Sequence, residues 1–136
     1  MNAGIQQNRG LMTVIRVILA LAAIEHLLAA LLLLFAPDWF FANVGNFPPF
    51  NRHYMGDAGA FLLGLGLMLV FALRRPVQYR TAIAAVAVAN LVHLGNHLYD
   101  DILANAWSLD HFLRETLTLI LVPLLLFAVY FALRRE

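Results

Sequence analysis

The chain has 136 residues, of which 62% are hydrophobic and 12% charged, with a formal net charge of +1. That length holds one domain, residues 1–136, and so little charge excludes an ordinary water-soluble fold; the class is an all-α integral membrane protein. All nine basic residues are arginine and there is no cysteine, which removes disulfides, thiolate metal sites, thiol nucleophiles and lysine Schiff-base chemistry. No basic stripe interleaves with aromatic residues, so nucleic acid is not an expected partner; the lipid bilayer is.

Four apolar stretches follow one another, at about residues 11–35, 55–73, 81–98 and 112–133. Each is close to the ~20 residues that cross a hydrocarbon core, where only helices satisfy their own backbone. The expectation is a four-helix transmembrane bundle. Arg9 and Arg16 precede the first stretch, but the apolar run from Val17 to Phe35 is longer than a signal-peptide core and lacks a cleavage pattern, so it reads as a retained helix.

The connection from Pro37 to Asn51 is the longest, rich in aromatic residues and punctuated by Pro48-Pro49. It reads either as an ordinary interfacial loop or as a cover over the mouth of the bundle. In the second stretch Gly56, Ala60 and Gly64 recur every four residues, with Gly59 and Gly66 nearby, a small-residue signature expected to let another helix approach closely, with Gly64 at the contact. Pro123 in the fourth stretch removes one backbone hydrogen bond and is expected to kink that helix.

Arginine sets the orientation. Arg9, Arg16, Arg74, Arg75, Arg80, Arg134 and Arg135 gather at one side and only Arg52 and Arg114 at the other, where Asp38, Asp100, Asp101 and Asp110 also lie. Seven against two places both termini in the cytoplasm. Trp39, Phe40, Phe41, Phe47, Phe50, Tyr54, Tyr99 and Trp107 fall on the outer side, as an interfacial belt does. With an arginine-only basic complement suggesting a bacterial genome, the expected location is the bacterial plasma (inner) membrane, multi-pass.

Polar residues inside the apolar stretches carry the functional reading. Glu25 and His26 lie midway along the first, where an ionised carboxylate costs roughly 2.5–3.5 kcal/mol on insertion scales and must face the bundle, be protonated or meet a cation. In the third, Asn90, His93, His97 and Asp100 are spaced three, four and three apart and form one stripe. His93 and His97, at i and i+4, present two imidazoles to one ligand. His53 and Asp57 repeat that spacing at the start of the second stretch, as do His111 and Glu115 at the start of the fourth. With about 1.5 Å per residue, Glu25 and Asn90 lie some 15 Å below the outer boundary. The expected arrangement is a polar shaft with those two at its floor and His53, His97 and His111 at its mouth. Interhelical hydrogen-bond glue is the alternative reading of the same residues.

The run Asn51-Arg52-His53-Tyr54, the segment Gly56-Asp57-Ala58-Gly59-Ala60-Phe61 with Leu63-Gly64-Leu65-Gly66, and the later Asn90…His93…Asn96-His97…Asp100 resemble small four-helix membrane proteins of the DoxX-like kind. The resemblance covers mainly residues 51–101, with hydropathy alone matching elsewhere. It implies association with a larger membrane redox complex, and it carries no assigned catalytic residue onto this chain.

Three functions follow. The first is a metal- or haem-binding, redox-associated membrane protein, with a divalent metal ion or haem held by His93, His97, His111 and Glu115, and with Glu25, His26, His53, Asp57, Asn90 and Asp100 lining the ligand pocket; mixed nitrogen and oxygen donors favour non-haem metal. The second is a protein or enzyme that binds a lipophilic molecule such as a quinone or isoprenoid. The third is an accessory subunit of a larger complex. Catalytic activity stays open, as does a homo-oligomer, while hydrolase triads and phosphate loops are not to be found.

The orientation is testable in this cysteine-free chain. Single cysteines replacing Asn43 and Asn105 are expected to react with a membrane-impermeant thiol reagent in spheroplasts, and one replacing Gln78 is not. Labelling at Gln78 alone would invert the topology.

Overall fold

In the computed structural model, residues 2–45, 48–105 and 108–134 are described, the side chains of residues 2–8, 114 and 115 excepted. The described residues form six helices and one π-helical turn and contain no strand. They are α1 (Asn2–Phe35), α2 (Pro37–Asn43), α3 (Arg52–Arg74), α4 (Arg80–Ala104), the short α5 (Leu109–His111), the π-helical Phe112–Thr116 and α6 (Leu117–Leu133).

The helix ends are written in the sequence. Proline follows both Ala36 and Arg75, and the residue before proline is driven out of the helical region. Asn51 caps α3, its Oδ1 accepting from the backbone N–H groups of His53 at 3.0 Å and Tyr54 at 3.3 Å. Asn105 closes α4 in the left-handed region, φ 49°, a conformation asparagine tolerates better than most residues. Ser108 caps α5 through His111 N–H at 3.1 Å.

Three helices are long and apolar enough to cross a membrane: residues Arg9–Phe35 of α1, α3 and α4. α6, at 17 residues, is a shorter apolar helix, continuous with the π-helical turn before it. The expected second and third stretches are extended at both ends, and α1 begins well before residue 11.

α1, α3, α4 and α6 form a ring. α1 packs extensively on α3 and α4 on α6, while α3 meets α4 and α1 meets α6 over less of their length. Gly59 lies against Ala30, Leu33 and Leu34, and Gly66 against His26 and Leu27; as α3 advances α1 recedes, so the two are antiparallel. The buried apolar core gathers at one end of the ring. Ile15 and Leu19 of α1, Leu69 and Ala72 of α3, Ile83 and Val86 of α4, and Leu126, Val129 and Leu133 of α6 seal the end that carries Arg16, Arg74, Arg75, Arg80 and Arg134. The outer faces are apolar and open: Val14, Val17, Leu21, Ile24, Leu28 and Leu31 run down α1 exposed. A surface of that kind suits hydrocarbon, whereas in water it would drive aggregation.

The small-residue stripe sits elsewhere than expected. Nothing lies within 4 Å of a Cβ built on Gly64, and only the Arg52 side chain approaches one on Gly56. The close approaches are at Gly59 and Gly66, seven residues apart. An antiparallel pair crossing at a shallow angle keeps one face in contact every seven residues, and a repeat of four drifts off it.

Gly59 is the tighter position, because a Cβ there would stand 3.1 Å from the carbonyl oxygen of Ala30, a backbone atom. Gly59→Leu is expected to destabilise the protein in detergent by about 1–3 kcal/mol, and Gly64→Leu by far less. Thermal unfolding of both variants checks this, and the reverse order would reassign the helix contact.

Candidate functional site in the open half of the bundle

Where the sealed core ends, the ring opens into a cavity of about 620 Å³. Apolar side chains from α1, α3 and α6, among them Leu33, Met55, Leu62, Leu65 and Val122, form most of its wall. α2 covers it with Phe40 and Phe41, and the chain just beyond contributes Val44 and Gly45. Phe41 is braced edge-on against Phe50, with centroids 5.2 Å apart. A side chain on Gly45 would press on the Phe40 ring at 3.1 Å, so the lack of one leaves that ring its place. Of the two readings of this connection, the described part follows the cover.

The polar side chains in the cavity are those of α1 and α4, with Thr118 of α6 beside them. His26 is 1% exposed. Its Nδ1 lies 2.9 Å from the carbonyl oxygen of Ala22 and 2.6 Å from Oε2 of Glu25. Its Nε2 lies 3.1 Å from Nδ2 of Asn90, which also donates to the carbonyl of Val86 at 2.9 Å. The Val86 carbonyl fixes the amide, since turning it over would set oxygen against oxygen. Asn90 therefore donates to His26 Nε2, and the imidazole proton sits on Nδ1, facing the two oxygen acceptors. Every donor and acceptor of the His26 ring is used, and the bond joins diagonally opposite helices.

One turn further along α4, His93 and His97 stand with Nε2 atoms 3.0 Å apart and rings 4.7 Å apart at 69°. One ring donates and the other accepts. Both line the cavity together with Glu25, His26 and Asn90, so five of the residues singled out by sequence share one space. Two converging imidazole nitrogens can also serve as neighbouring ligands of one ion. Among the described residues no group of three or more His, Asp or Glu side chains is placed to hold a metal.

The other candidates lie apart. His53 and Asp57 face each other at 3.5 Å on an exposed stretch of α3 and do not line the cavity. Asp100 accepts from Asn96 at 3.3 Å. His111 Nε2 meets Oδ1 of Asp101 at 2.9 Å. The side chain of Glu115 lies outside the described residues, as do Phe47 and Trp107 of the aromatic belt.

Asp101, 2% exposed, is the residue that sequence reasoning passed over, counting it as an outer-face charge. The signal was present in the register: Ile83, Val86, Ala87, Asn90, Leu94 and Asp101 are the buried positions of α4, and Asp101 follows Leu94 by seven. Asp100, three residues after His97, fits a helical stripe equally well, and spacing alone does not separate the two. Phe40, Phe41 and Thr118 were likewise not singled out as cavity residues.

The His26–Asn90 bond is measurable as a coupling. A double-mutant cycle with His26→Phe and Asn90→Leu is expected to give an interaction on the order of 1 kcal/mol in detergent unfolding, the scale of interhelical hydrogen bonds in membranes. Additive effects would show that the two side chains act independently.

Compared with models of known protein families, with curated proteins and with solved structures, the chain matches none.

Proposed function

We propose that the protein binds a lipophilic small molecule inside a four-helix membrane bundle, the polar part of the ligand meeting Glu25, His93 and His97. The observation that carries this reading is the cavity itself: a largely apolar space, closed by α2 at one end, sealed by packed core at the other, with a few convergent polar groups. Apolar walls with a small number of placed donors and acceptors are the usual make-up of such sites. The sealed end argues against a conducting path through the ring.

The membrane setting of this proposal has α6 as the fourth crossing. Its 17 residues rise about 26 Å, and the helical turns from Leu109 lengthen it towards the ~30 Å of the hydrocarbon core. The arginine distribution supports cytoplasmic termini and an outward-opening cavity in a bacterial inner membrane.

One observation favours a second reading, a metal- or haem-binding redox protein: the Nε2 atoms of His93 and His97 converge at 3.0 Å. The DoxX-like resemblance of residues 51–101, with its implied redox complex, belongs to this reading.

Protein purified from membranes is expected to release, on organic extraction, a lipophilic compound in near-stoichiometric amount by mass spectrometry. Ala58→Trp, which fills the cavity from α3, should reduce that amount at least tenfold. Near-stoichiometric metal or a Soret band, lost in the His93→Ala/His97→Ala double variant and accompanied by no extracted compound, would replace this reading with the second.

A further inference from the structure

The cavity has a flank on the membrane side. A second, smaller depression of about 200 Å³ runs between α1 and α6, the neighbours that meet over little of their length. Glu25, Thr118 and Val122 line both spaces. From Glu25 the groove continues past Leu21 to Ile18 on α1, about 10 Å along the helix, and past Leu121 to Leu125 on α6. Its walls are apolar, and Leu21, Leu121 and Leu125 are exposed on the outer surface of the ring.

Glu25 stands at the junction. Its side chain is 43% exposed although it lies midway along a membrane-crossing helix, and one oxygen accepts from His26. A carboxyl group left that open towards hydrocarbon is costly unless something polar reaches it. Lipid tails offer nothing, and a head group coming from the cavity does.

We infer that the groove between α1 and α6 is a lateral portal through which a neutral, hydroxyl-bearing amphiphile enters from the bilayer, its head at Glu25, His93 and His97 and its chain left lying in the groove. This rests on the lipophilic-ligand reading and names the class of molecule. A hydroxyl donates to the Glu25 carboxyl group and, taking the place of one ring in the His93–His97 contact, accepts from the Nε2–H of the other, so it matches both sides of the junction. A carboxylate head brings no proton to donate to the Glu25 oxygens, which sets fatty alcohols and isoprenoid alcohols apart from fatty acid anions.

The test uses the full chain reconstituted in phosphatidylcholine vesicles with hexadecan-1-ol carrying a photoreactive diazirine midway along its chain. Irradiation is expected to give saturable adducts on residues 18–21 and 121–125, displaced by excess unlabelled hexadecanol. Leu121→Trp, which fills the groove, should cut the saturable labelling at least tenfold. Leu124→Trp, exposed on the same helix but outside the groove, should leave it unchanged. Hexadecanoic acid with the same diazirine should label without saturation; saturation equal to that of the alcohol would overturn the head-group assignment. Saturable adducts confined to Phe41 or Met55 and indifferent to Leu121→Trp would overturn the portal while the cavity reading stands. Labelling that rises linearly with probe at every site, together with no extracted compound from the native protein, would overturn both.

Discussion

Hydrocarbon offers polar groups no partners, and the arrangement of this bundle follows from where it meets that condition. At the arginine-rich end the condition is met by having no buried polar side chain to satisfy among the described residues: isoleucine, leucine, valine and alanine fill the ring. At His26 the condition is met by pairing. The imidazole is bonded at both nitrogens, to Ala22 and Glu25 on its own helix and to Asn90 across the ring. Because α1 and α4 are diagonal, that bond sets the width of the ring at the level where packed core gives way to open space. Above it the ring leaves a cavity, and α2 turns back to cover it.

The same condition explains why the polar residues of this chain fall into separate groups. Asp101 and His111 satisfy each other where α4 ends and the chain turns towards α6. His53 and Asp57 sit at the exposed start of α3, where no burial forces a partner on them. Glu25, His26, Asn90, His93 and His97, with Thr118 of α6, share one common space. The shaft expected from helix spacing is thus narrower in membership: His97 lines the space with Glu25 and Asn90, while His53 and His111 lie apart from it.

The helical class and most element boundaries were legible because each depends on local signals: long apolar runs, prolines after Ala36 and Arg75, a capping asparagine at Asn51. The floor of the cavity was legible too, since a glutamate and a histidine in mid-membrane have few places to turn. Contact register was not. Gly56, Ala60 and Gly64 make a regular stripe, yet the crossing geometry of α1 and α3 selects Gly59 and Gly66, and that geometry is a property of two helices together. Asp100 and Asp101 pose the same difficulty, because neighbouring residues differ by about 100° around a helix and an irregular stripe accommodates either. The aromatic cover was legible as a segment but not as particular rings, which depend on how α2 folds back.

α1 and α6 are neighbours of very unequal apolar length. The membrane-crossing part of α1 has 27 residues and α6 has 17, about 40 Å against about 26 Å of helix. With α6 as the fourth crossing proposed above, a bilayer has to meet both within the width of two helices. It does so by thinning beside α6 or by letting α1 tilt, each at a cost of fractions of a kcal/mol per ångström of mismatch. The groove lies along that seam. In that proposed setting lipid along the seam meets unequal apolar lengths on its two sides, and this is the strip that adjoins the cavity.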